Sequence, residues 1–374
     1  MRIHWSAHPM RDSGRAERMP EKEKHKMNKK KAGSNQFMMT LLKGRTFIVL
    51  ILLVIIFRIL KSNFLDPSTL AMIAKHVALY GIIGLGMTFV IITGGIDLSV
   101  GSVVGFAGMI AGGLIQKGLT LKAFGVTLYF SVPVIVVLLL LIGLGIGWVN
   151  GVIVTKLGVP PFIATLGTMY IFRGFANLRS NGATFSELSG YEALGNTGFK
   201  ALGSDLFGIP CGVYIFAALA VLAAVLLRKT SFGWYVKAVG GNERSARLSG
   251  IKADKIKILV YMISGFCAVW AGLINTAQLS AAHPATGDGW EMNAIAATVL
   301  GGTSMAGGSG TVVGTVIGAF VIGVINDGMT MCGVSEFWQK VIRGAVIIAA
   351  VVIDQAQRNL QARMALQARS GEVK

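Results

Sequence analysis

Long apolar runs separated by short polar segments fill most of the 374-residue sequence. A helix that crosses a bilayer needs about 20 predominantly apolar residues. Ten stretches approach or reach that length: residues 46–60, 69–93, 100–116, 124–147, 161–178, 211–227, 258–279, 293–305, 311–326 and 335–353. The pattern therefore predicts an all-α fold, a polytopic transmembrane helical bundle of about ten spanning helices.

Positive charge is concentrated in three of the polar segments. Residues 1–45 hold 12 Lys and Arg with 4 acids, residues 228–257 hold 8 with 2, and residues 354–374 hold 4 with 2. Cytoplasmic segments of membrane proteins carry such an excess of Lys and Arg. Because ten crossings place both ends on one side, we expect both termini to be cytoplasmic, together with the 228–257 loop.

The connections assigned to the outer side carry only five basic residues: Lys61, Lys117, Lys122, Arg179 and Lys200. The same division predicts a basic, disordered cytoplasmic tail at 1–44, a transmembrane domain at 45–355 and a cytoplasmic C-terminal tail at 356–374. The longest outer connection, 179–210, is either a docking surface for an external protein or a short lid.

Composition narrows the function classes. Hydrophobic residues make up 53% of the chain and charged residues 14%, against about 25% charged in soluble domains. The net charge of +18 lies mostly in the three segments above, so it does not indicate nucleic-acid binding. Three scattered cysteines, Cys211, Cys267 and Cys332, form neither a disulfide framework nor a metal site. No GxxxxGK[ST] motif is present, so we expect the chain to have no P-loop for ATP. No catalytic constellation and no His/Cys cluster is apparent either, so we expect no cofactor, no metal and no enzymatic activity.

The first break in the hydrophobic pattern lies between the second and third runs. There Gly94 and Gly95 are followed by Asp97 and Ser99. Non-helical backbone at membrane depth persists only where it packs in protein or lines a cavity, and an acid there suggests function. Asp97 either caps the next helix or contacts the transported molecule. We therefore consider this segment part of a translocation path or a hinge.

The second break begins inside the eighth run, where Gly301 and Gly302 precede Thr303. It ends in Gly-Thr-Val-Val-Gly at 310–314, which is similar to Gly-Ser-Val-Val-Gly at 101–105. The likeness is consistent with an internal repeat. In the predicted topology, however, the helix pairs that flank the two segments point the same way, which does not fit an inverted repeat of five helices plus five. We assign this segment to the same path or hinge. The chain also has GxxxG spacings at Gly101/Gly105, Gly108/Gly112, Gly147/Gly151, Gly310/Gly314 and Gly314/Gly318, and we expect these to mark close helix contacts.

A third segment lies in the basic loop 228–257. Gly240 and Gly241 interrupt the chain, Asn242 can cap a short helix running to about Leu248, and Gly250 can end it. A short basic helix between two spanning helices suits docking to a soluble protein. A solvated positive loop explains the same residues equally well.

Taken together, the segments resemble the permeases of ATP-binding-cassette importers for monosaccharides, and ribose permeases most of all. The resemblance is carried by GGIDLSVGS at 94–102, PPFIATLGTMYIFRG at 160–174, AVGGNERSARLSGI at 238–251 and NAIAATVLGGTSMAGGSGTVVGT at 293–315, and it extends over about 45–355. Permeases of this family often carry Leu-Asp-Ala-Ile before the late Gly run. Here Asn293 replaces that Asp, with Glu291 nearby.

The resemblance implies a permease homodimer in a bacterial inner membrane, two cytoplasmic ATPase subunits and an extracytoplasmic sugar-binding protein. It also implies that 238–251 contacts the ATPase, through Gly240, Gly241, Asn242, Arg247 and Gly250. The sugar is then expected to pass without a tight site in the membrane. The alternative is an ion-coupled secondary transporter that uses Asp97 or the pair Lys75 and His76, since such carriers also contain broken helices.

Overall fold

Helices dominate the computed structural model, which describes residues 46–121 and 123–372, with side chains up to residue 356. In chain order the helices are α1 (Thr46–Leu60), α2 (Pro67–Ile92), α3 (Val100–Gln116), α4 (Val132–Thr155), α5 (Pro161–Leu178), α6 (Cys211–Lys229), α7 (Ser231–Gly241), α8 (Glu243–Leu248), α9 (Ala253–Leu279), α10 (Trp290–Leu300), α11 (Val312–Met331) and α12 (Glu336–Glu372).

The chain divides into two units, Met1–Ile48 and Val49–Lys374. Only residues 46–48 of the first are described, so the predicted 1–44 tail lies outside the described residues. Within the described residues, five helices are long and apolar enough to cross a membrane: α2, α4, α6, α9 and α11. The prediction of a polytopic helical membrane protein is confirmed at this level.

The connections between the helices also contain short strands. Three two-stranded antiparallel sheets occur in the described residues: β1 (Leu119–Leu121) with β2 (Val126–Leu128), β3 (Phe185–Ser186) with β6 (Ala281–Ala282), and β4 (Asp205–Leu206) with β5 (Ile209–Pro210). The run predicted at 124–147 therefore begins too early. Its first residues include the strand β2. The helix starts only at Val132, and a proline occupies its first turn.

The predicted eighth span at 293–305 is also wrong as a helix. The helix α10 runs from Trp290 to Leu300 and has 11 residues. At 1.5 Å per residue it measures roughly 16 Å, about half of a hydrocarbon core of about 30 Å. Residues 301–311 continue as turns and extended chain. The predicted span extends past Leu300 because residues 301–305 carry no charge.

Two further helices differ from their predicted extent. The loop 228–257 holds an additional helix, α7, ahead of the predicted short one. The last helix, α12, continues for 37 residues to Glu372, past the predicted start of a C-terminal tail at 356.

The centre of the bundle is built on α2 and α9. From Val77 to Ile92 nearly every residue of α2 is buried, and the helix packs against α9, α10 and α11. The helix α9 in turn packs along α4. Here Gly143, Gly147 and Gly151 recur every four residues on the face toward α9, so the two backbones approach closely, as small residues allow in membranes. The predicted close contact at Gly147 and Gly151 is confirmed.

This contact gives a first testable result. A methyl group at Gly147 would lie 2.1 Å from the Tyr261 carbonyl oxygen and 2.5 Å from the Met262 Cα. We expect Gly147→Ala to destabilise the protein by about 1–3 kcal/mol, as overpacking does, because both obstacles are backbone or near-backbone atoms. The midpoint of thermal unfolding in detergent measures the effect.

Gly145→Ala on the same helix is the matched control. No described atom lies within 4 Å of a Cβ placed there, and Ala is a better helix former than Gly. Its unfolding midpoint should equal or exceed that of the wild type. Equal midpoints for Gly147→Ala and Gly145→Ala would contradict the packing argument.

Candidate translocation and coupling site

The first break, residues 93–99, is held by hydrogen bonds to the buried carboxylate of Asp97. Gly94 turns the chain out of α2 with φ +78°. Asp97 is 1% exposed; its Oδ1 accepts from the Ser99 amide at 3.0 Å and the Ser99 hydroxyl at 2.6 Å, and its Oδ2 accepts from Ser264 at 2.7 Å. Asn150 donates to the Ser99 hydroxyl at 2.9 Å. Asp97 thus holds Ser99, the residue just before α3, and ties it to α9, which favours a structural role; the cap position Ser99 makes no side-chain hydrogen bond to the helix.

Backbone groups of the same break are held by neighbouring helices. The Ile96 carbonyl accepts a hydrogen bond from Tyr261 of α9 and one from Thr165 of α5, each at 3.3 Å. Irregular backbone among apolar helices needs such donors, because lipid offers none. The break is thus a packed structural element that contacts α4, α5 and α9.

The second break, residues 301–311, is a looped segment between α10 and α11. Gly302 has φ +88°, and Gly301 lies against the backbone of Gly314. Thr311 caps α11 by accepting from the Gly314 amide at 3.1 Å. Thr303 is fully buried, and its hydroxyl has no hydrogen-bond partner among the described residues.

The two breaks and the basic loop meet at one backbone junction. The Gly308 amide of the second break donates to the Ile92 carbonyl at the end of α2, at 2.8 Å. Gly240 of α7 lies against both: a Cβ built on it would be 1.7 Å from the Ile92 oxygen and 2.7 Å from the Gly308 nitrogen. We call this contact of Ile92, Gly240 and Gly308 the glycine junction. Segments that are about 70–220 residues apart in sequence therefore touch through main-chain atoms.

The loop that supplies Gly240 folds into two short helices. The second of them, α8, spans the predicted residues: the Asn242 Oδ1 accepts from the Ser245 amide at 2.9 Å, and Gly250 follows with φ +85°. The predicted cap and the predicted end of this helix are confirmed. Gly241 is the last residue of α7, and no described atom lies within 4 Å of a Cβ built on it.

A network of charges fastens α8 to the spanning helices. Arg247 donates to Glu243 at 2.7 Å and also to Asp254 in the first turn of α9. Lys257 of α9 pairs with Glu243, and Lys156 beyond α4 pairs with Asp254 at 3.2 Å. These ion pairs connect α8 directly to α9, and through Asp254 to the end of α4.

The charge of Glu243 makes this attachment sensitive to pH. Burial raises the pKa of its carboxyl, but hydrogen bonds from Lys257 and Arg247 outweigh that effect, so the pKa lies below 4.5. A lowered pKa means that the attachment is complete above pH 4.5 and is lost as the pH falls through the pKa of the folded state.

We expect Glu243→Gln to loosen α8 at neutral pH. The amides of α8 should exchange with solvent about two- to fivefold faster, as for partly exposed ion pairs worth a few tenths to 1 kcal/mol. Wild type should show an increase as the pH falls through the lowered pKa of the Glu243 carboxyl, after correction for intrinsic exchange rates. Glu192→Gln, at an exposed site elsewhere, is the control. Unchanged exchange in Glu243→Gln would contradict the network.

The pair Lys75 and His76 on α2 has acidic partners. Lys75 lies 3.2 Å from Asp205 of the 179–210 connection, and the His76 Nδ1 lies 2.7 Å from the Asp327 Oδ1 on α11. The 179–210 connection itself packs inward through the fully buried side chains of Leu188, Asn196 and Phe199. The structure thus places Lys75 and His76 beside this connection and α11, away from the glycine junction.

Sequence reasoning missed one cluster. Arg173 of α5 donates to the carbonyl oxygens of Pro284 and Thr286, the latter at 2.8 Å. The loop it holds covers the start of α3, where Gly101 lies against the Glu291 carboxylate. The PPFIATLGTMYIFRG stretch ends at Arg173–Gly174, and a lone Arg in an apolar run is the signal that could have found it.

Among the described residues, no group of three or more His, Cys, Asp or Glu side chains is placed to hold a metal ion.

A bundle of apolar helices, interrupted by two turns that meet a charged loop, is the framework of a polytopic membrane permease. The family model described as "Branched-chain amino acid transport system / permease component" matches residues 69–351, about three quarters of the chain. The chain belongs to this family.

Individual relatives resemble the chain over nearly its whole apolar length. It is 41% identical to the ribose import permease protein RbsC of Bacillus subtilis over 311 residues, which cover 83% of this chain and 91% of that protein. It is 39% identical to RbsC of Escherichia coli K12 over 327 residues, 85% and 95% of the two chains. It is 37% identical to the galactose/methyl galactoside import permease protein MglC of Haemophilus influenzae over 313 residues, 82% and 92%. No solved structure matches the chain.

Proposed function

We propose that this protein is the membrane-spanning permease subunit of an ATP-binding-cassette importer for ribose or a related monosaccharide. The observation that carries the proposal is the 39–41% identity to ribose import permeases over more than four fifths of the chain. A sugar is favoured over an amino acid because the relatives reported above are named for ribose and galactosides. In this role the protein is not itself an enzyme, and ATP is hydrolysed on separate subunits.

The proposed topology has ten crossings, with both termini and the helices α7 and α8 in the cytoplasm of a bacterial inner membrane. The excess of Lys and Arg in these segments supports the orientation. The eighth crossing combines α10 with the non-helical chain 301–308, which reaches the glycine junction. Both breaks then lie at the cytoplasmic end of the bundle. This position supports a hinge role for Gly94, Gly95, Asp97, Ser99, Gly301, Gly302 and Thr303 better than a path lining.

The proposed mechanism transmits force through α8. Two cytoplasmic ATPase subunits close on ATP and push the segment around Asn242, Arg247 and Gly250. The glycine junction passes the displacement from Gly240 to the ends of α2 and α10, and the charge network passes it to α4 and α9. A second permease copy provides the other wall of the path. An extracytoplasmic sugar-binding protein delivers the sugar to the outer connections.

The test is reconstitution in proteoliposomes. The permease with its ATPase subunits should take up radiolabelled D-ribose only when the binding protein is outside and ATP is inside. Dissipating the proton and sodium gradients should leave uptake unchanged. Uptake by the permease alone, or uptake abolished by an ionophore while ATP remains, would contradict the proposal and favour an ion-coupled secondary transporter.

A further inference from the structure

A polar cavity lies at the opposite end of α10 from the second break. Its volume is ≈ 530 Å³, within the range of about 300–1,000 Å³ that small-molecule sites occupy. It lies between the loop before α10, the first turn of α10 and the first half of α12. It is lined by Asp288, Gly289, Trp290, Met292, Asn293, Glu336, Lys340, Arg343, Gly344 and Ile347.

The charges around the cavity balance. Two acids, Asp288 and Glu336, and two bases, Lys340 and Arg343, line it, and Glu336 pairs with Lys340 one turn along α12 at 3.2 Å. Such a wall offers hydrogen-bond donors and acceptors without a net charge. A neutral molecule rich in hydroxyl groups fits this chemistry, because each hydroxyl both donates and accepts. An anion or a cation would meet a like charge on one side.

One buried group in the wall has an unused hydrogen bond. Asn293 is 3% exposed, and its Nδ2 has no hydrogen-bond partner among the described residues. A buried donor left without a partner is costly. Nδ2 is itself shielded from the cavity, so the Asn293 amide has to rotate toward a ligand hydroxyl in the cavity to be satisfied by it.

The aromatic ring beside Asn293 is held in place from behind. Trp290 meets the Tyr80 ring edge to face, with centroids 5.5 Å apart and planes at 82°. Tyr80 is in turn 6.5 Å from His76, which is bound to Asp327. A fixed indole offers an apolar face and an N–H at low entropic cost, a combination suited to the flat C–H face and polar rim of a sugar ring.

The cavity is also connected to the coupling machinery. Its wall includes the first turn of α10, and the same 11-residue helix ends at Gly301, where the second break begins. In the proposed topology the cavity opens on the outer side, where sugar arrives. A helix that touches the cargo at one end and the glycine junction's loop at the other can report occupancy along its length.

We propose that this cavity is a weak monosaccharide-binding site at the outer mouth of the path, with Trp290 as the stacking surface and Asn293 as a hydrogen-bond donor. The inference rests on the proposed import function. Weak binding suits it, since a tight site would retain a sugar already captured by a binding protein.

The experiment is saturation-transfer NMR with millimolar D-ribose on the permease–ATPase complex in lipid nanodiscs, without binding protein. Ribose signal is expected above that of empty nanodiscs. Asn293→Leu and Trp290→Leu should each raise the apparent Kd about tenfold, the effect of roughly one lost hydrogen bond or ring contact. Trp338→Leu changes a tryptophan on α12 that is 64% exposed and does not line the cavity, and it should leave the Kd unchanged.

Size-exclusion profile and basal ATPase rate establish that each variant is assembled, and the NMR comparison uses assembled complexes. Absence of ribose signal in wild type would overturn the inference, as would an equal Kd in wild type and both cavity variants, or an equal loss in Trp338→Leu. ATP-driven uptake by wild type is measured in parallel. Uptake without a ribose signal defeats this site alone, whereas no uptake with the binding protein present defeats the proposed function.

Discussion

Replacing Gly240 by Ala should abolish coupled transport, with ATP-driven uptake falling at least about tenfold. The added methyl would lie 1.7 Å from the Ile92 oxygen and 2.7 Å from the Gly308 nitrogen, and neither atom can move without shifting a helix end or the second break. Overpacking of this kind costs about 1–3 kcal/mol, and each 1.4 kcal/mol is a factor of ten. Uptake in proteoliposomes, beside the ATPase rate of the same complex, measures the effect.

The neighbouring glycine provides the control. Gly241→Ala adds the same methyl to the same helix, at a point where no described atom lies within 4 Å. Its uptake should equal that of wild type if the glycine junction is what matters at this end of α7. Equal uptake for Gly240→Ala and Gly241→Ala would remove the junction from the mechanism. Equal loss in both would point to the ATPase contact of α7 and α8.

Substituting Asp97 should separate a structural carboxylate from an ion-coupling one. Asp97→Leu removes the acceptor for the Ser99 amide, the Ser99 hydroxyl and the Ser264 hydroxyl, all in a buried setting. Each unsatisfied group costs about 1–3 kcal/mol. We therefore expect little folded protein and uptake at least about tenfold lower. Yield of monodisperse protein and uptake per assembled complex are the measurements.

Asp97→Asn is the informative partner variant. Its amide oxygen can still accept from Ser99, and its amide group can donate to Ser264, whose hydroxyl can also accept. Folding and uptake should both stay within about twofold of wild type, less than the tenfold that one lost hydrogen bond brings. If Asp97→Asn instead folded normally and lost uptake, a titrating acid would be required and the secondary-transporter alternative would gain support.

The sequence predicted those parts of the structure whose causes are local. Asn242 and Gly250 delimit α8 because a side-chain cap and a left-handed glycine act within a few residues. The spacing of Gly147 and Gly151 predicted a close helix contact because four residues return to one helix face. The apolar runs predicted the helical bundle because hydropathy too is a property of residues that are neighbours in sequence.

The other features of the fold and of the candidate site depend on contacts between residues that are distant in sequence, or on backbone geometry that a hydropathy profile does not contain. Val126–Leu128 is as apolar as a helix start, so its strand pairing with Leu119–Leu121 was invisible to a window. The loop after Leu300 is uncharged but not helical, and one of its amides, that of Gly308, bonds to the distant Ile92 carbonyl. The cavity beside Trp290 needs α10 and α12 together, and neither helix alone predicts which of its faces the other will cover.

The glycine junction is built from a carbonyl, an amide and a Cα, and no side chain enters it. Side chains along the path, at the outer mouth or on α8 can therefore change without altering how the three segments mesh. The residues that select the solute and the contact that transmits the motion can then change independently. Permeases for different solutes could diverge freely in their linings while accepting a common type of motor, provided that the three-way main-chain contact is preserved.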